Sequence, residues 1–128
     1  MRVAARTADG VFVVDLETEE LAGDEVDVPD PPHVDAELPR VVAAAASGST
    51  VVAVVDRSPP LAVSHDAGRT WRESGGGLPP GTAVAIDGDN PDHIVYAARN
   101  RLFVSEDGGV FWRALAPELP AIDTVRFV

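Results

Sequence analysis

Few residues of this chain could do chemistry, and most of the obvious ones are arginines. Arg6, Arg57 and Arg99 each follow a short apolar run, with Arg101 beside the last, and a set of guanidinium groups on one face would bind carboxylate or phosphate through paired N–H donors. Tyr96, the single tyrosine, is the only phenol available as a nucleophile, and it falls inside an apolar run. His33, His65 and His93 have no metal-ligand spacing. The run Asp87-Gly-Asp89-Asn90-Pro91-Asp92 has the composition of a calcium loop, but Pro91 stands where a ligand is needed and no Glu closes it. Ser74-Gly75-Gly76-Gly77 lacks the Lys-Ser and the helix that a phosphate cradle requires, so it reads as a flexible connection. No cofactor or metal is expected.

The elements that must position these residues repeat. Ser64-His65-Asp66-Ala67-Gly68-Arg69-Thr70-Trp71 recurs 41 residues later as Ser105-Glu106-Asp107-Gly108-Gly109-Val110-Phe111-Trp112, both reading Ser-x-Asp-x-Gly-x-x-Trp. These types close a tight hairpin: Ser and Asp oxygens accept backbone N–H groups across the turn, Gly68 and Gly109 supply a positive φ, and Trp71 and Trp112 anchor the returning strand. Outward from the pattern, Val-rich runs bounded by Gly, Pro, Asn and Asp predict strands. One repeat has them at 83–87, 94–98, 101–104 and 111–115, and the one before it at 40–46, 51–55, 61–63 and 70–73. Ala43–Ala46 taken alone would suit a helix; the alignment makes it a strand.

The ends of the chain fit the same plan. Arg2-Val-Ala-Ala-Arg6-Thr7 matches Val95-Tyr-Ala-Ala-Arg99-Asn100, so the chain enters at the second strand of a repeat, whose turn has decayed to Val14-Asp15-Leu16-Glu17. Residues 122–128 match a lone first strand. The expected organisation is a single unit over 1–128, with repeats 1–28 plus 121–128, 39–78 and 81–119.

The Ser-x-Asp-x-Gly-x-x-Trp pattern resembles the Asp-box, or BNR repeat, of sialidase-like, sortilin-like and photosystem-assembly-factor-like β-propellers, and its period is that of one four-stranded blade. The resemblance implies an all-β propeller with three blades per chain. In those families the boxes lie opposite the functional face, which makes Ser64, Asp66, Gly68, Trp71, Ser105, Asp107, Gly109 and Trp112 structural and leaves Arg6, Arg57, Arg99 and Arg101 as a candidate anion-binding face. Rings of this type take about four to eight blades. Two chains are therefore expected to form a six-bladed homodimer, the last strand of each completing the first blade of the other; the competing arrangement has the missing blades on another polypeptide.

Sialidases also need a tyrosine nucleophile, a glutamate and an acid/base carboxylate, and Tyr96 within a strand does not fit the role. The function expected is a non-catalytic scaffold for a carbohydrate, a small anion or a protein. A BNR-class glycoside hydrolase and an assembly factor for a larger complex are the alternatives.

Charge narrows the partners. The formal net charge is −11 and all ten basic residues are arginine, which leaves no basic footprint for nucleic acid. An acidic, lysine-free surface resembles salt-adapted proteins, although GC-rich coding also replaces lysine with arginine. Ten of the 21 acidic residues lie between Asp15 and Glu37, with Pro29, Pro31, Pro32 and His33. This stretch exceeds the matching segment of the other repeats and reads as a solvated loop or as a recognition lid. There is no cysteine, so disulfides and thiolate metal sites are excluded. No apolar run is long enough for a membrane span, and Met1-Arg-Val-Ala-Ala-Arg lacks a signal-peptide apolar region, so a cytoplasmic location is expected.

Overall fold

Twelve strands alternate with tight turns along the chain in the computed structural model, which describes residues 1–23 and 26–128. They are β1 (Arg2–Thr7), β2 (Gly10–Asp15), β3 (Leu21–Ala22), β4 (Val41–Ser47), β5 (Thr50–Val55), β6 (Leu61–Ser64), β7 (Arg72–Ser74), β8 (Ala83–Ile86), β9 (Ile94–Ala98), β10 (Arg101–Ser105), β11 (Arg113–Glu118) and β12 (Ile122–Phe127). They form three four-stranded antiparallel sheets, ordered β12-β1-β2-β3, β4-β5-β6-β7 and β8-β9-β10-β11. Ala43–Ala46 lies in strand β4, because pairing with Val51–Val54 in a Val-rich neighbour outweighs the helical preference of alanine. The fourth strands β7 and β11 begin after Trp71 and Trp112 rather than before them, since each Trp still belongs to its turn.

The last strand departs from the sequence-based expectation. β12 completes the first sheet within its own chain: Val3 faces Phe127, Ala4 faces Arg126 and Ala5 faces Val125. The register is shifted by two residues from the one the repeat implies, Thr124 facing Arg6 rather than Ala4, and the partner strand is supplied in cis, so the exchange expected between two copies is replaced by closure within one.

Packing follows that order. Val3, Ala5 and Val14 of the first sheet bury against Val95, Ala97, Leu102, Val104 and Leu115 of the third, together with Ile122 and Val125. Val52, Val54, Leu61 and Val63 of the second sheet bury against Ile94, Tyr96, Ala98 and Phe103 on the opposite face of the third. The first sheet's remaining face is covered by the connection itself, with Val28 seated on Ala4 and Val13. The chain exposes 6788 Å², close to the roughly 6,500 Å² expected of a folded monomer of its mass.

Candidate functional site

The two repeated turns share a core of Ser and Asp hydrogen bonds. The Ser64 hydroxyl donates to Asp66 Oδ1 at 2.7 Å and accepts from the Gly68 N–H at 2.8 Å, while Asp66 takes the Thr70 N–H at 2.8 Å and the Thr70 hydroxyl at 2.6 Å. In the second turn Ser105 donates to Asp107 at 2.8 Å and accepts from Gly109 N at 2.9 Å, and Asp107 takes the Phe111 N–H at 3.0 Å. Gly68 and Gly109 adopt φ of 87° and 91°, and the residues before them, Ala67 and Gly108, are also left-handed at 61° and 73°. The Thr70 hydroxyl and N–H hold the Asp66 carboxyl well below the usual carboxylate range, and the Phe111 N–H with Ser105 lowers Asp107. These are ionised turn caps, with both oxygens of Asp66 and Oδ1 of Asp107 engaged.

One role of the turns escapes the pattern. Arg72, next to Trp71, donates to the Gly108 carbonyl at 3.2 Å, and Arg113, next to Trp112, donates to the Leu16 carbonyl at 2.9 Å. Each turn is thus latched to the turn of the sheet it packs against, second to third and third to first. Ser74 strengthens the first latch: its hydroxyl donates to the Gly109 carbonyl and accepts from Trp112 Nε1 at 2.9 Å. The twice-repeated Trp-Arg was the available signal. In the first sheet, Asp15 keeps a cap, accepting the Glu17 and Thr18 N–H groups at 2.8 and 3.1 Å.

The turns and the arginines occupy opposite ends of the sheets. Ala67 N donates to Ser49 O and Gly108 N to Asp92 O at one end; Ile122 N donates to Arg99 O and Asp56 N to Arg40 O at the other. Arg6 is consumed inside the fold: its guanidinium contacts Asp123 and Asp30, each at 2.8 Å, Thr124 at 3.1 Å and the Val28 carbonyl at 3.0 Å. Its hydrogen bonds to Asp123 and Asp30 raise its pKa. Arg101 donates to the Leu115 carbonyl at 2.7 Å. Arg57 and Arg99 are exposed on turns, Arg99 with φ of 58°, and no hydrogen bond or ion pair among the described residues joins the four.

Tyr96 is buried in the core against Phe103 and Trp112, and its hydroxyl donates to the Pro79 carbonyl at 2.6 Å. Burial pushes its pKa up to about 12. Gly81 is where it is because a methyl group there would run into the Tyr96 ring. Of the histidines, His33 pairs with Asp35 at 2.8 Å on the surface and His65 is exposed beside Thr50. His93 has a buried Nδ1 lying 3.7 Å from Asp87. No group of three or more metal-ligating side chains assembles among the described residues.

The concave feature that joins all three sheets is a groove of about 520 Å³ between β4, β8 and β12. Val41–Ala44, Thr82–Val84 and Asp123–Val125 form its floor and sides, and residues 31–36 of the acidic stretch form the remaining wall. A second hollow of about 270 Å³ continues it along the same strands to Ala46, Ile86 and Arg126, sharing Pro31, Pro32 and Val34. β4, β8 and β12 are each the edge strand of their sheet. No family model, curated protein or solved structure matches this chain.

Proposed function

We propose that the chain is a non-catalytic Asp-box propeller-type scaffold that binds a partner in the groove between its three inner strands. The groove carries the reading: β4, β8 and β12, one strand from each sheet, line it together, and its larger hollow lies beside Val41, Thr82 and Asp123, at the strand ends away from the Ser-Asp turns, where the resemblance puts the functional face. Cis pairing of β12 and a monomer-like surface area support a single chain as the binding unit. The groove's polar groups favour recognition over turnover, since Thr82 donates to the Ile122 carbonyl at 2.9 Å and Asp123 is held by Arg6. Tyr96, bonded to Pro79 in the core, does not reach the groove's lining.

The test is obstruction. Ala44→Trp, in the wall shared by both hollows, should abolish partner capture while leaving the circular dichroism spectrum unchanged. Capture that persists in a folded Ala44→Trp protein removes the groove from the reading.

A further inference from the structure

We infer that the groove takes an extended, cationic peptide segment of another polypeptide, added as a strand along the channel edge of β4. The inference rests on the groove being the binding surface. Three observations converge on this occupant.

Backbone capacity comes first. The inner strands have no ladder partner on their channel side, and residues 29–37, although they wall the groove, make no backbone hydrogen bond to β4, β8 or β12. Pro29, Pro31 and Pro32 have no N–H to give. An extended peptide can therefore pair with an edge that the chain itself does not use, as strand addition requires. Val42, 52% exposed on β4, and Ala44 offer the small apolar sites that alternate side chains of such a peptide would cover.

Charge selects the peptide. Asp35 and Asp123 line the mouth and Asp30 stands beside them, while the guanidinium within reach, Arg6, is already bound to Asp30 and Asp123. His33 is likewise occupied by Asp35. Among the residues lining the larger hollow no cation is left to receive an anion, Arg126 lining only the second hollow, and the chain as a whole carries −11. A Lys- or Arg-bearing strand meets a complementary field, which raises its association rate and penalises acidic competitors.

The experiment compares three synthetic peptides of alternating Val with Arg, Ser or Glu by titration calorimetry at low and at physiological salt. The Arg-Val peptide should bind at least tenfold more tightly than the Glu-Val peptide, a ratio equivalent to about 1.4 kcal/mol, and weaken as salt rises. Val42→Arg, at an exposed position that tolerates the change, should abolish that binding; unchanged affinity would mean diffuse attraction to an acidic surface and overturn the inference. Equal or tighter binding of the Glu-Val or Ser-Val peptide, still lost in Ala44→Trp, would overturn the charge selection and leave the groove reading standing. Absence of binding by all three would end the peptide inference.

Discussion

Ser74→Ala is the sharpest perturbation of the latch between the second and third sheets. The Ser74 hydroxyl is 8% exposed and serves two groups at once, the Gly109 carbonyl and Trp112 Nε1. Alanine leaves both without a protein partner. A buried polar group left unsatisfied costs about 1–3 kcal/mol, and partial access of water to half-buried Trp112 reduces its share, so the expected loss is about 2–4 kcal/mol. For a chain of this length each kcal/mol moves the melting temperature by about 3–6 °C; the variant should therefore melt at least about 6 °C lower. Urea unfolding followed by tryptophan emission measures both the stability and the environment of Trp112. In a double-mutant cycle, Ser74→Ala in a Trp112→Phe background should be milder than alone, because one orphaned donor is already gone. A single-variant loss under about 0.5 kcal/mol, or additivity in the cycle, refutes the bridge.

Four further outcomes follow from the same geometry. Gly81→Ala should destabilise by about 1–3 kcal/mol by forcing a methyl group against the Tyr96 ring; a neutral melting temperature would place Tyr96 elsewhere. Ala67→Gly should stabilise by up to about 1 kcal/mol by relieving a left-handed alanine at the position where the second turn has Gly108, and any loss in thermal melts would contradict the equivalence of the turns. Asp107→Ala should lower stability by about 0.5–1.5 kcal/mol by releasing turn N–H groups that water can reach, yet leave peptide affinity in the groove unchanged; lost affinity in a stable variant would move the site to the turn. Asp15, Asp66 and Asp107 all have pKa values depressed in the folded state, so their contribution is complete above the ordinary carboxylate range near pH 4 and is lost as pH falls through the folded values. Melting temperature should drop below about pH 4, less steeply in Asp66→Asn; equal slopes would refute the assignment.

Strands and turns were legible because their signals are local. Ser, Asp and Gly at fixed offsets dictate a hairpin wherever they occur, and a period of 41 residues aligned even Ala43–Ala46 with a strand that its own composition disfavours. The repeat also identified Ile122–Phe127 as a first strand, although its alignment of Arg2–Thr7 was two residues out of the observed register with β12. What local signals do not carry is which copy of a repeat a strand joins, because β1 of the same chain and β1 of a second chain offer identical edges. The arginines illustrate the same limit. The sequence alignment matched Arg6 with Arg99, yet Arg6 lies within β1 opposite Thr124, the place Ala97 takes in β9 opposite Ala83, and meets Asp30 and Asp123, whereas Arg99 sits exposed on the turn after β9. The groove was not legible at all, since its lining comes from four separated segments of mostly Ala, Val and Pro.

Closure within one chain is the claim on which the rest depends, and the absence of cysteine makes it directly testable by cross-linking. Ala4 and Arg126 face each other across β1 and β12, and cross-strand neighbours lie about 4.5–5.5 Å apart, within the span of a disulfide. Ala4→Cys with Arg126→Cys should oxidise to a species that runs as one chain on a non-reducing denaturing gel, with both thiols consumed. A covalent dimer as the main product would show that the last strand belongs to a second copy, and would contradict the account.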